Sequence, residues 1–72
     1  MEHISVFLID LPPLVRGFTV INNDDSYSIF INARLSHEMQ HAAYDHEIAH
    51  IDNHDFDKIY KVDELELLRH TG

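Results

Sequence analysis

Three short apolar stretches in the first half of the chain, each bounded by turn-forming residues, predict β-strands. Residues 3–9, 17–21 and 27–31 are rich in the β-branched and aromatic side chains that fit a pleated sheet. The first stretch ends before Pro12, because proline lacks the N–H group that a strand ladder needs. The polar run at residues 22–26 favours a tight turn between the second and third stretches. The pattern therefore predicts one strand followed by a β-hairpin.

The second half of the chain has the pattern of two helices. Residues 37–53 contain neither proline nor glycine, and Ser36 is suited to cap the first turn. A polar, turn-prone break follows at residues 52–55, and a shorter helix is predicted at residues 62–70. We expect an α+β fold: a three-stranded antiparallel sheet packed on a long helix and a shorter C-terminal helix. Residues 1–72 form a single domain, near the lower size limit for a self-sufficient core.

The composition narrows the classes of function. The chain has 13 acidic and 5 basic residues, a net charge of −8 with histidine neutral. This charge argues against direct binding to nucleic acid or to an anionic membrane, both of which select basic surfaces. The absence of cysteine excludes disulfides and thiolate metal sites. Apolar runs such as residues 6–9 are too short to span a bilayer, and no signal peptide is recognisable, so we expect a cytoplasmic protein.

The predicted long helix carries a pattern typical of metal-dependent hydrolases. His46, Glu47 and His50 form the motif H-E-x-x-H. Residues four apart share one face of a helix, so the two imidazoles can bind a single metal ion. The glutamate after the first histidine is placed to take a proton from a metal-bound water. Imidazole and carboxylate ligands without a thiolate suit Zn²⁺.

The same spacing occurs a second time, at His37 and His41. Nine positions correspond to roughly 900° around a helix, so the two motifs face opposite sides. His37 also falls in the first turn, where the positive end of the helix dipole disfavours a cation. The helix face that carries His46 and His50 has mostly small residues, which would let the helix approach a sheet: Met39, Ala42, Ala43 and Ala49. We therefore expect the metal at His46 and His50, with His37 and His41 as surface or capping residues and His54 on the exposed helix end.

A catalytic zinc needs a third protein ligand and an open fourth position. The acidic residues after the motif are the candidates: Asp52, Asp55, Asp57, Asp63, Glu64 and Glu66. Asp52 is too near His50 on the same helix to reach the ion. Glu64 and Glu66 lie on the predicted second helix, roughly 200° apart around its axis, so both cannot face one metal. Their positions relative to the apolar stripe of that helix leave both open.

The chain resembles a short member of the ImmA/IrrE family of bacterial and phage metallopeptidases. The likeness rests on a strand that ends near Asn32, within residues 29–36, and on the helix motif at residues 46–50 followed by an aliphatic residue. A later acidic segment keeps Glu64 and Glu66 of the family's E-x-E-A-N-x-F-A pattern, but not its alanine, asparagine or phenylalanine. The resemblance extends from the first strand to Glu66.

The resemblance implies a minimal zincin-like metallo-endopeptidase. His46, His50 and Glu66 would bind zinc, and Glu47 would be the general base. Characterised members cleave helix-turn-helix repressors and thereby release mobile-element or stress-response genes, so the expected partner is a protein or peptide substrate of that kind. Tyr60 is a candidate donor to the oxyanion, with a surface role as the alternative. Two other classes stay open: a catalytically weak metal-binding interaction module, and a metal buffer that uses both histidine pairs.

Overall fold

The computed structural model describes residues 3–62. Its elements, in chain order, are β1 (Ile4–Ile9), β2 (Gly17–Ile21), β3 (Tyr27–Asn32), α1 (His37–Asp52), a 3₁₀ turn (Phe56–Lys58) and β4 (Ile59–Lys61). The predicted α+β class is confirmed. The second helix, predicted at residues 62–70, lies outside the described residues except for its first position. None of the described helices is both long enough and apolar enough to span a bilayer.

The strands form one mixed sheet in the order β1-β3-β2-β4. The hairpin strands β2 and β3 are antiparallel, whereas β1 is parallel to β3 and β4 is parallel to β2. The prediction of a three-stranded antiparallel sheet was therefore wrong in two respects: the sheet has a fourth strand, and the pairs β1–β3 and β2–β4 are parallel. β3 lies between β1 and β2, so β1 pairs with a strand that is not its neighbour in sequence. β4 has only three residues, too few for a periodic pattern to show in the sequence.

The turn between β2 and β3 is polar and tight, as predicted. The N–H of Asn22 donates to the carbonyl of Ser26 at 2.8 Å, and Asp25 adopts a left-handed backbone with φ of 67°. The carboxylate of Asp24 accepts hydrogen bonds from the hydroxyl and the N–H of Ser26, at 2.6 and 3.1 Å. These bonds, the hydroxyl's first, hold the pKa of Asp24 below its usual range. The turn fixes the register of the two central strands.

Helix α1 packs on one face of the sheet and covers the core. The buried cluster combines β3, α1 and β4: Tyr27, Ile29, Ile31, Ala43, Ile51 and Ile59. Alternate residues of β3 point to the helix, as the two-residue period of a strand requires. The helix begins after Ser36, whose hydroxyl accepts a hydrogen bond from the N–H of Met39 at 3.2 Å. The predicted N-cap is confirmed, and the helix ends within one residue of the predicted boundary.

The connection between β1 and β2 is held by one buried side chain, that of Asn32, which is 1% exposed. Its Nδ2 donates to the carbonyls of Leu11, Pro12 and Val15 at 3.3, 3.2 and 2.9 Å. Its Oδ1 accepts from the N–H of Arg34 at 3.0 Å and from that of Leu11 at 3.4 Å. Because this connection has no strand or helix of its own, Asn32 supplies the partners that its backbone needs. The loop is thereby fixed beside α1.

Candidate metal centre

The H-E-x-x-H motif lies on the side of α1 that faces β2. The Nε2 atoms of His46 and His50 are 3.0 Å apart, and their rings meet edge-on with centroids at 4.5 Å. Two imidazole nitrogens bound to one tetrahedral ion such as Zn²⁺, each at about 2.0–2.1 Å, are separated by roughly 3.3 Å. The observed separation is within a few tenths of an ångström of that value. The pair therefore has the spacing that a shared cation requires.

Glu47 is the third member of this group. Its side chain is buried, at 7% exposed, and its Oε1 accepts a hydrogen bond from the hydroxyl of Thr19 on β2 at 2.8 Å. Such a donor is needed because burying a carboxylate away from water without a hydrogen-bond partner costs free energy of folding. Potential ligand atoms of His46, Glu47 and His50 all lie within 4.8 Å of one another. These three residues can hold a metal ion.

The orientation of His50 is set by Asp55, just beyond the end of α1. The Nδ1 atom of His50 lies 3.3 Å from Oδ2 of Asp55, and the N–H of Asp55 donates to the carbonyl of His50 at 2.9 Å. A left-handed residue, His54 with φ of 52°, turns the chain back to allow both contacts. A carboxylate on Nδ1 favours the tautomer that carries its proton there, which leaves the Nε2 lone pair for a metal.

A cleft of about 360 Å³ opens beside the motif. Residues of α1, of β2 and of the loop before β2 line it: Leu14, Arg16, Gly17, Met39, Ala42, Ala43, His46 and Glu47. The expected role of small residues is confirmed for Ala43, which is buried in the core, whereas Ala42 and Ala49 are exposed. Gly17 also has to be small, because a Cβ atom there would lie 2.7 Å from the carbonyl oxygen of Phe30. Arg16 brings a positive charge to the lining of this cleft.

The other histidine pair, His37 and His41, lies elsewhere on the helix surface. His37 and His41 are exposed and line a second cleft of about 310 Å³, together with Val6, Leu8 and Tyr44. The two motifs line different clefts, which agrees with the prediction that they face opposite sides of the helix. Within residues 3–62, no group of three potential ligands includes either of these histidines.

The candidates for the third ligand separate into two groups. Asp63, Glu64 and Glu66 lie outside the described residues, so the assignment of Glu66 stays a prediction. Asp52 and Asp57 are exposed, and neither joins a potential metal group in the described part of the chain. Asp55 contacts the Nδ1 atom of His50 rather than the space between the two Nε2 atoms. Its position is that of an orienting partner and not of a ligand.

Two further candidates lie away from the motif. His54 is exposed, as expected, and its ring centroid lies 6.1 Å from that of Phe56. Tyr60 follows the buried Ile59 on β4, so its side chain points to the sheet face opposite α1. There its ring meets Phe18 edge-on, with centroids 6.0 Å apart. The alternative of a surface role for Tyr60 agrees with this position, and the oxyanion role does not.

Sequence reasoning missed the contributions of Thr19 and Asn32. A threonine in a strand is common because its branched side chain favours extended backbone, so Thr19 alone gave no functional signal. The alternation of side chains along β2 was a weak indication of a role for Thr19, since it places the threonine hydroxyl on the sheet face that meets the helix. Asn32 ends a strand and was noted only as part of the family likeness.

Comparisons of the chain with protein-family models, curated proteins and solved structures find no match. The functional interpretation therefore rests on the geometry of the site and on the likeness of the sequence motifs.

Proposed function

We propose that the protein is a zinc-dependent metallo-endopeptidase of the ImmA/IrrE type. The observation that carries the proposal is the 3.0 Å separation of the His46 and His50 Nε2 atoms beside the buried Glu47. Two imidazoles and a carboxylate suit Zn²⁺ better than ions that prefer thiolate or all-oxygen sites. Glu66 is the proposed third ligand, and the fourth position would be open to water.

Bound zinc would lower the pKa of a coordinated water and polarise the carbonyl of the scissile peptide bond. Glu47 takes a proton from the attacking water and delivers it to the leaving amine nitrogen. The hydroxyl of Thr19, 2.8 Å from Oε1, holds the carboxylate in place and leaves Oε2 to act as the base. Asp55 holds His50 in the orientation and tautomer that ligation requires.

The substrate is an extended protein segment that pairs with the start of β2, at Gly17, where β4 leaves the strand open. β4 pairs with Thr19–Ile21, so among the described residues no strand lies beside Gly17 on that side. The carbonyl of Arg16 accepts a hydrogen bond from Asn32, and backbone groups alternate in direction along an antiparallel strand. Gly17 therefore directs its N–H and C=O to the open side, next to the cleft. A peptide bound there would present a carbonyl to the motif.

The substrate class we propose, from the family likeness, is a helix-turn-helix repressor or a similar regulatory protein. Arg16, in the lining of the cleft, favours a substrate with an acidic side chain near the scissile bond.

The test compares zinc content and repressor cleavage in the wild type and in Glu47→Gln. The substrate tested is a helix-turn-helix repressor, co-expressed with each variant. We expect one zinc per chain in both proteins and cleavage only by the wild type, because glutamine can still accept from Thr19 but cannot take a proton. His37→Ala, the control, should retain both properties.

Other outcomes would point to other functions. Equal absence of cleavage in wild type and Glu47→Gln, with one tight zinc retained, would favour a metal-binding interaction module. Two or more equivalents of zinc, with the second lost in His37→Ala, would favour a metal buffer. Loss of zinc in Glu47→Gln would make Glu47 a ligand rather than the base.

A further inference from the structure

The edge strand β1 exposes an apolar surface that the metal site does not use. Its six residues pair in register with β3 on one side, and no described strand pairs with the other side. The strand carries no charged residue and no proline, the usual devices that protect a sheet edge from pairing. Large apolar side chains are exposed along it: Ile4 (38%), Val6 (46%), Phe7 (46%) and Leu8 (58%).

The backbone of β1 has an open row of hydrogen-bonding groups. The carbonyls of His3 and Ile9 accept bonds from the N–H groups of Tyr27 and Ala33, both at 2.8 Å. In a parallel pair, alternate residues bond to the neighbouring strand, so the odd-numbered residues of β1 face β3. The N–H and C=O groups of Ile4, Val6 and Leu8 therefore point to the open edge. Their side chains lie on the helix side, because their register partners on β3 are the core residues of that face.

We propose that β1 pairs antiparallel with β1 of a second copy of this chain, around a two-fold axis at Val6. Val6 then lies opposite the partner's Val6, and Ile4 lies opposite the partner's Leu8. All three outward-facing residues form hydrogen-bonded pairs, each of which exchanges two backbone bonds. The result is a continuous eight-stranded sheet with both copies of α1 on the same side, since facing residues in a pair share a face.

Side chains of β1 complement one another in this register. On the helix side, only aliphatic residues meet across the axis. On the other side, Ser5 lies opposite the partner's Phe7, so a small residue faces a large one. A shift of two residues would leave one of the three outward-facing residues without its counterpart. The strand is thus complementary to itself, which is the requirement for a symmetric interface.

The two faces of the sheet supply further apolar contacts. On the helix side, the partner's Ile4 would lie beside Leu8 at the mouth of the 310 Å³ cleft lined by Val6 and Tyr44. On the other face, Phe7 ends a row of stacked rings, with centroids 5.3 Å from Phe30. The partner's Phe7 would be its diagonal neighbour, within reach of an aromatic contact. β1 itself brings no charge to the axis.

A cysteine cross-link tests this register directly, because the chain has no cysteine of its own. In Val6→Cys the two introduced residues face each other at about 5.5 Å between Cα atoms, within the range of a disulfide. Leu8→Cys is the matched control, since its two copies would be about four residues, roughly 13 Å, apart along the strands. We expect mild oxidation to give a covalent dimer of Val6→Cys and no covalent dimer of Leu8→Cys. Equal cross-linking of both variants, or none in Val6→Cys, would overturn the proposal.

A second experiment measures mass by sedimentation over a range of protein concentrations. The wild type should dimerise, and Val6→Arg should remain monomeric, because it buries an unpaired charge at the axis. Leu14→Arg, at a residue 96% exposed in the loop before β2, is the control and should dimerise like the wild type. A monomeric wild type, or a dimer of Val6→Arg, would overturn self-pairing. So would a monomeric wild type that instead binds an unrelated extended peptide through β1.

Both experiments are independent of the proposed catalysis. The metal motif is on α1 and contacts β2 through Thr19, whereas β3 separates β1 from β2, and Val6 does not line the cleft beside His46. Val6→Arg should therefore keep the helix content of the wild type, measured by circular dichroism, which shows that the variant folds whether or not the chain binds zinc.

Discussion

At the scale of single residues, the site depends on how its two histidines are held. The Nδ1 atom of His50 has a carboxylate at 3.3 Å, whereas His46 is exposed and contacts His50 through Nε2. A ligand whose ring is already oriented loses less entropy when it binds a metal than a ligand that rotates freely. Asp55 therefore contributes to metal affinity without being a ligand itself.

We predict that Asp55→Ala weakens zinc binding by about 10- to 100-fold, the usual cost of losing such a partner. The N–H group of residue 55 stays available to the carbonyl of His50, so the end of α1 should be preserved. Asp57→Ala is the matched control, because Asp57 is exposed in the next turn. Competition with a fluorescent chelator measures both affinities. Equal zinc affinities in the two variants would show that Asp55 does not contribute to metal binding.

The sequence could predict His46, Glu47 and His50 because a single helix determines their relation, and helix geometry is regular. The contact from Thr19 to Glu47 joins residues 28 positions apart and depends on how α1 crosses the sheet. Asp55 was considered only as a ligand, since its true contact requires the left-handed turn at His54. Contacts that depend on tertiary packing leave no spacing that can be recognised in one sequence.

At the scale of elements, the loop between β1 and β2 carries part of the cleft and is held by the buried side chain of Asn32. Asn32 makes five hydrogen bonds within and around it, from a side chain that is 1% exposed. Arg16 and Gly17, which line the cleft, come directly after this loop. The position of the cleft wall thus depends on a residue that does not touch the metal motif in the structure.

We predict that Asn32→Ala lowers the free energy of unfolding by about 3 kcal/mol, because it leaves buried backbone groups without partners. Urea denaturation measures this loss, and limited proteolysis should show faster cleavage within residues 10–16. Asn23→Ala, in the exposed hairpin turn, is the control and should be close to the wild type. A stability unchanged in Asn32→Ala would show that water replaces these bonds without cost.

The predicted elements differ in how well the structure confirms them, for a physical reason. The hairpin and α1 are specified by neighbouring residues: the turn at residues 22–26, the cap at Ser36 and the uninterrupted helical stretch. The partner of β1 is β3, 23 positions further along the chain, and no local pattern reveals a pairing of that kind. β4 forms because Ile59 fills the core beside Thr19, although three residues have little strand signal by themselves.

At the scale of the whole molecule, charge opposes the association that β1 favours. Each chain carries a net charge of −8, so two copies repel one another over distances that salt can screen. The attractive contribution at β1 is apolar and hydrogen-bonded, and salt does not screen it. The balance between the two contributions makes ionic strength a test of the interface.

We predict that sodium chloride strengthens dimerisation. The screening length falls from about 10 Å at 0.1 M to about 3 Å at 1 M, which weakens repulsion between the chains and leaves the strand contacts intact. Sedimentation at several chloride concentrations gives the dissociation constant of the dimer, which should fall as salt rises. Chloride is preferable to sulfate, because sulfate strengthens the burial of apolar surface by itself. A dissociation constant that rises with salt would show that opposite charges hold the two copies together, which an interface through the uncharged β1 does not allow.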